Sequence, residues 1–362
     1  MISLQILIGT RPNFIKVTQF KKLALKYGIN ISLIHTGQHS ASEMSDVFFN
    51  EFELRPDVFL NIKPSSASGQ IAQILLELEK YYIHNPKPDL LMVPGDVTST
   101  LAGALFANKN NIPLAHLEAG LRSFDRSMPE EHNRFLTDAI ADYLFVTEQS
   151  GIDNLKNEKN VGKIFFVGNT MIDTLIHFED KIDRSKILKT YRIQKPYCLV
   201  TIHRPSNVDT KSSLTDVVHL LREIASDITV VFPVHPRTKN HLIKFELIQS
   251  LKNHPGIILT DPLGYFDFQK LIKESTLVLT DSGGVQEETT FRQIPCLTLR
   301  PNTERPVTCV MGTNTLVPFD IPIILDYIRQ IKKGQYKKGQ VPPLWDGMAT
   351  QRILEIITDS FK

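Results

Sequence analysis

Short apolar runs alternate with longer segments of helical period along this chain, and no other feature narrows its fold so far. Strand-like runs at 2–8, 30–36, 89–93 and 113–117 are separated by helix-like stretches at 13–27, 68–83 and 98–109. That alternation predicts βαβ units and a parallel sheet. Apolar runs at 143–146 and 163–167 continue the series. A polar, lysine-containing stretch near 179–196 then precedes a second series, with strands expected at 197–201, 228–233, 256–260, 276–280 and 295–299. A length of 362 residues exceeds what one hydrophobic core organises, so each series is expected to be its own domain. The expected fold is α/β, with two Rossmann-like doubly wound domains facing a central cleft. The last segment, 347–361, has helical period and follows a Pro-Pro break.

Charge narrows the range of partners. The 41 basic and 39 acidic residues nearly cancel and are scattered, which leaves no electrostatic footprint for nucleic acid or an anionic membrane. The apolar start at 1–9 is too short for a signal peptide, and no run reaches membrane-spanning length. Cys198, Cys296 and Cys309 are odd in number, show no CxxC spacing and lie in or beside apolar segments. They read as reduced thiols of a cytoplasmic protein.

Polar clusters fall where the predicted strands end. After the first strand comes Gly9-Thr10-Arg11-Pro12-Asn13-Phe14-Ile15-Lys16, a turn that offers free backbone N–H groups and two cations to a phosphate. A plainer reading has Pro12 starting the helix while both cations are solvated. Thr280-Asp281-Ser282-Gly283-Gly284-Val285-Gln286-Glu287-Glu288 is again strand, small-residue turn and helix, suited to a diphosphate. Its Glu288 would reach ribose hydroxyls, and its plainer reading is a capped helix.

Acidic residues gather at Asp96, at Glu118 and at Glu130-Glu131. Carboxylates sharing a partly desolvated place push one another's pKa apart and make both an acid and a base available. The structural alternative pairs Glu118 with Arg122 and uses one of the two adjacent glutamates as a helix cap. His203 and His235 follow second-domain strands, positions that suit proton transfer or phosphate contact. Neither they nor His39 and His116 show close metal-ligand spacing, so no metal site is expected.

Taken together, these strings closely resemble the non-hydrolysing UDP-N-acetylglucosamine 2-epimerases. The carriers are GTRPNFIK at 9–16, TGQH at 36–39, PGDVTST at 94–100, HLEAGLRS at 116–123, PEEHNR at 129–134, VGNT at 167–170, TIHRP at 201–205, PVHPR at 233–237, TDSGGVQEE at 280–288 and TERP at 303–306. The resemblance implies the glycosyltransferase-B architecture, with domains at 1–168 and 169–346 and a terminal helix, 347–362, packing back on the first. It implies catalytic roles for Asp96, Glu118, Glu130 and His203. It implies nucleotide or phosphate contacts for Arg11, Lys16, Phe268, Ser282, Gly283, Gly284, Glu288 and Arg305. No cofactor is implied, and a cytoplasmic homodimer is.

The chain departs from the commonest family pattern at Asn13, at 205–207 and at Val307. The segment Ser40–Asp46 lacks glutamines that some bacterial members use to bind an activating UDP-sugar, so allosteric activation is not expected. FDRSMPEE at 124–131 also resembles members that act on UDP-2,3-diacetamido uronic acid sugars. A glycosyltransferase-B type sugar transferase, a hydrolysing relative and a silent UDP-sugar-binding protein are the remaining readings.

Overall fold

The structure, a computed structural model, describes residues 1–37, 49–63 and 65–362. The segment 40–46 and His39, on which two of the expectations above bear, lie outside the described residues. The chain divides into two compact units, Met1–His177 with Pro343–Lys362, and Phe178–Pro342.

In the first unit the described strands are β1 (Ile2–Ile8), β2 (Ile29–His35), β3 (Val58–Phe59), β4 (Leu90–Pro94), β5 (Leu114–Leu117), β6 (Tyr143–Val146) and β7 (Lys163–Phe166). They form one parallel sheet in the order β3-β2-β1-β4-β5-β6-β7. β4, β5 and β6 are buried at every position, because helices cover both faces of such a sheet. In the second unit β8 (Tyr197–Thr201), β9 (Thr229–Pro233), β10 (Ile257–Thr260), β11 (Leu277–Thr280), β12 (Cys296–Leu299) and β13 (Asn314–Val317) form a parallel sheet in the order β10-β9-β8-β11-β12-β13. Both orders reverse direction once, between β1 and β4 and between β8 and β11, and the carboxyl ends flanking such a reversal are where doubly wound folds bind ligands.

The strands expected from the sequence recur within a residue or two. β3 and β13 are not among the strands expected from the sequence. β13 opens on Asn314, which is fully buried because its amide donates to Gln286 Oε1 at 2.9 Å. A polar residue satisfied in this way breaks the apolar run by which a strand is recognised. The single helix expected over 13–27 is two, Arg11–Ile15 and Phe20–Ala24, followed by a tight turn at Leu25–Tyr27. Between the helices Val17 N and Phe20 N make three-residue bonds, and Thr18 Oγ1 meets Thr174 Oγ1 at 2.6 Å.

The helix Thr170–His177 joins the first unit, beyond the division expected at 168. Its Asp173 accepts from Ala349 N and Thr350 N at 3.1 and 2.6 Å, which caps the terminal helix Ala349–Ser360. Trp345, almost fully buried, donates to Thr147 O at 3.1 Å and fixes the return of the chain.

Candidate active site

At the carboxyl end of β1 the turn expected to hold phosphate is organised by Asn13. Its Oδ1 accepts from Gly9 N, Thr10 N and Thr10 Oγ1 at 3.0–3.3 Å, while its Nδ2 donates to Pro94 O at 3.0 Å. One buried amide therefore ties the β1 turn to the end of β4 across the reversal. An acceptor-only carboxylate could not make both sets of bonds.

One turn on, Lys16 Nζ lies 2.5 Å from Glu118 Oε2, with the two side chains 5% and 2% exposed. Glu118 itself has φ +70°, a left-handed conformation that costs a residue with a Cβ roughly 1–2 kcal/mol. The N–H groups of Glu118 and Ala119 both donate to Phe145 O at 3.1 Å, and these bonds hold the turn. Strain of this kind concentrates at functional positions. A Cβ built on Gly95 would lie 2.9 Å from Lys16 Nζ, 3.2 Å from Asn13 Nδ2 and 3.8 Å from Glu118 Oε2. The backbone leading into Asp96 thus rests directly on the Lys16–Glu118 pair.

Asp96 is a quarter exposed; its carboxylate pairs with Arg134 and its carbonyl accepts from Asn133 Nδ2 at 2.8 Å. Both partners lie on the helix Pro129–Ile140, which also carries Glu130 and Glu131 in its first turn. The two adjacent glutamates divide sharply. Glu131 is buried and accepts from Ser123 N, Ser123 Oγ and Phe124 N, each at 2.9 Å, and pairs with Arg134 at 2.7 Å. Burial alone would raise its carboxyl, but Ser123 and Arg134 outweigh that and hold it below the ordinary range. Glu131 fixes the loop, and Glu130 stands exposed.

The alternative pairing of Glu118 with Arg122 does not occur. Arg122 pairs with Asp138 at 2.7 Å and grips Glu158 through Nε and Nη2 at 2.8 and 2.7 Å. Asp138 is a residue that sequence reasoning missed, since it sits in the last turn of the helix Pro129–Ile140 and its partners come from distant segments. Fully buried, it also takes His116 Nδ1 at 2.6 Å and Gly120 N at 3.0 Å, and His116 Nε2 reaches Gly95 O at 2.8 Å. Although desolvation would raise it, His116 and Arg122 hold the Asp138 carboxyl below the ordinary range.

A carboxyl depressed on folding stabilises the native state above its unfolded pKa, and that stability is lost as pH falls through the lower folded value. Thermal stability is therefore expected to weaken below about pH 4, and the Tm gap between the protein and Asp138→Asn to narrow there. A gap constant from pH 7 to pH 3 would contradict this assignment.

In the second unit the ends of β8 and β11 meet through Asp281, a second residue not singled out beforehand. It is wholly buried and accepts from the backbone N–H groups of His203 and Arg204 and from Asn207 Nδ2 at 2.8–3.1 Å. Burial would raise it; the His203 and Arg204 bonds prevail and lower it. His203 is one-third exposed, and its ring lies 5.0 Å from that of His235.

Ser282 is the N-cap of the helix Gly283–Arg292, and its side chain makes no capping bond. A Cβ built on Gly283 would lie 2.7 Å from Glu304 Oε1 and 2.9 Å from Arg305 Nη1, so this ion pair stands over the helix start, which continues with Gly284. Arg305 is itself buried, paired with Glu287 at 2.7 Å and with Glu304. Glu288 is buried within the same helix. Phe268 is half-buried against the apolar cluster containing Leu271 and Val285. Arg11 is exposed at the start of its helix. Within the first unit the structure brings Lys16 and Glu118 together beside Gly95 and Asp96; within the second it joins His203 to the turn that opens at Ser282.

Comparison with known proteins gives the arrangement its context. Residues 21–358 match the family model described as UDP-N-acetylglucosamine 2-epimerase. A UDP-N-acetylglucosamine 2-epimerase of Methanocaldococcus jannaschii is 40% identical over 99% of both chains. A crystal structure of M. jannaschii UDP-GlcNAc 2-epimerase in complex with UDP-GlcNAc and UDP superposes with TM-score 0.91 at 39% identity, covering 99% of this chain and 100% of that one. The UDP-2,3-diacetamido-2,3-dideoxy-D-glucuronate 2-epimerase of Pseudomonas aeruginosa is 38% identical over 97% of this chain and 98% of its own. The glycosyltransferase-B type of fold expected from the sequence agrees with these full-length matches. By sequence and by structure, this chain belongs to the UDP-N-acetylglucosamine 2-epimerase family.

Proposed function

We propose that the protein inverts carbon 2 of UDP-N-acetylglucosamine to give UDP-N-acetylmannosamine, by elimination of UDP and its re-addition. The observation that carries this reading is the buried Lys16–Glu118 pair against Gly95 and Asp96, in a chain whose family is named for the reaction.

The C2 proton beside an anomeric carbon is too weakly acidic to be removed alone near neutral pH. Its removal is coupled to rupture of the C1–O bond: the C–H electron pair becomes the C1=C2 double bond, and UDP departs with the C1–O pair. The intermediate is a 2-acetamidoglucal. Protonation of C2 from the opposite face, with the UDP oxygen returning to C1, gives the manno epimer. A base and an acid on opposite faces are needed, and Asp96, Glu118 and Glu130 are the candidates. Lys16, expected from the resemblance to meet phosphate, neutralises Glu118, and Asp96 is held through Arg134.

For the departing diphosphate the reading assigns Arg11, His203, Arg305, Ser282 and the amides of Gly283 and Gly284. A helix N-terminus with an uncommitted cap residue presents N–H donors to developing negative charge. Glu288 and Phe268 are assigned to the ribose and base.

The test is proton NMR of UDP-N-acetylglucosamine incubated with the protein. A UDP-N-acetylmannosamine signal at equilibrium with substrate is expected. Free N-acetylmannosamine with stoichiometric UDP, or turnover only on adding a sugar acceptor, would sink the proposal. A higher kcat/KM on the 2,3-diacetamido uronate sugar would overturn the substrate while leaving the reaction.

A further inference from the structure

His203 follows β8 and Asp281 follows β11, neighbouring strands at the reversal of the second sheet. A carboxylate as buried as Asp281 persists only where its lone pairs and charge are met. Its donors come from one short stretch, 203–207. His203 N lies 3.1 and 3.0 Å from its two oxygens, Arg204 N and Asn207 Nδ2 lie 2.8 and 2.9 Å from Oδ2, and His203 Nδ1 lies 3.2 Å from Oδ1. The Asp281 carbonyl also takes Arg204 Nε at 3.0 Å. One residue therefore sets the course of the His203 turn, the facing of its ring and, through the chain, the start of the glycine helix.

We propose that Asp281 is a positioning residue for His203, which binds its Nδ1–H, leaves Nε2 to meet the departing diphosphate, and supplies the counter-charge when the ring is protonated. The inference rests on the reading of His203 as a group that acts on the UDP-sugar. A carboxylate only accepts, so the nitrogen facing it carries the proton, and the neutral ring then has its lone pair on Nε2. The neighbouring ring does not oppose this. His235 Nδ1 accepts from Arg237 N at 3.2 Å, so that nitrogen is turned to its own helix start. The arrangement follows the general logic by which a buried carboxylate orients an imidazole that works through its other nitrogen.

The test compares Asp281→Asn, His203→Asn and the double variant in the full chain with UDP-N-acetylglucosamine. Asp281→Asn is expected to lower kcat on the order of 100-fold with KM changed less than about threefold, since the amide disfavours the working tautomer. Added to His203→Asn, it is expected to cost less than about threefold more, because the two act as one unit. Losses that multiply in the double variant would identify a merely structural role and overturn the proposal. So would near-normal kcat in Asp281→Asn beside a crippled His203→Asn. If His203→Asn is fully active, the reading of His203 fails, and Asp281 falls with it. Imidazole ¹⁵N NMR of the unsubstituted protein gives a readout that does not depend on any variant folding. A proton on His203 Nδ1 is expected, and a ring protonated only on Nε2 would overturn the assignment.

Discussion

Glu118→Gln is expected to lower kcat for C2 inversion about 10³-fold or more while leaving the protein folded, within the range removed with a general acid or base. The substitution is nearly isosteric, and glutamine bears the same left-handed backbone penalty as glutamate, so the turn at φ +70° gains no new strain. Its carbonyl oxygen still accepts from Lys16 Nζ, now 2.5 Å from Glu118 Oε2, so the ammonium keeps a hydrogen bond but loses its counter-charge. A buried cation left short of charge but still hydrogen-bonded is destabilised by about 1–3 kcal/mol, less than the 5–15 kcal/mol of a typical folded domain. Activity and stability should therefore separate. Steady-state kinetics beside thermal unfolding measures both, and an activity within tenfold of the parent would remove Glu118 from the chemistry.

Gly120→Ala is expected to produce the largest loss of stability, about 3–5 kcal/mol from a left-handed alanine plus overpacking. Gly120 has φ +80°, and a Cβ there would meet Gly151 O at 2.4 Å and the Gly151 C and Cα at 2.8 Å. The obstacle is backbone, so no side-chain rotation relieves it. Retreat is also blocked, since Gly120 N donates to Asp138 Oδ2 at 3.0 Å and Gly120 O accepts from Asn154 Nδ2 at 2.9 Å. A fall in Tm of roughly 6–20 °C corresponds to that cost in a unit of this size. Because the strained turn at Glu118 is two residues away, turnover of the surviving folded protein should fall as well. A Tm within about 2 °C of the parent, roughly the shift of a neutral surface change, would show that the segment can move.

What could be read in advance depended on whether a residue's role is local. β1, β8 and their neighbours were legible because parallel strands are apolar throughout, and the glycine helix start was legible because its turn chemistry is contained in the string 280–284. β13 was not, because Asn314 is buried through a bond to Gln286, 28 positions away in sequence. Likewise the sequence shows two equivalent acids at Glu130 and Glu131, and only the fold brings Ser123 and Arg134 to one of them. Arg122 follows the same rule, since its partners Asp138 and Glu158 are set by the packing of two helices and not by the nearby Glu118. Asp281 lay in a string already singled out, yet its partners at 203–207 belong to another strand's turn. The family resemblance implied which residues to weigh. The structure supplies what holds them.

The central claim, that carboxylates take a proton from one face of C2 and return another to the opposite face, is tested most directly in deuterated water. UDP-N-acetylglucosamine is incubated with the protein, the reaction is quenched early, and the UDP-N-acetylmannosamine formed is analysed by mass and NMR. The account predicts a single deuterium, located at C2, in every product molecule. Product formed with its original hydrogen retained at C2 would contradict it, because inversion would then proceed without exchangeable acids and bases.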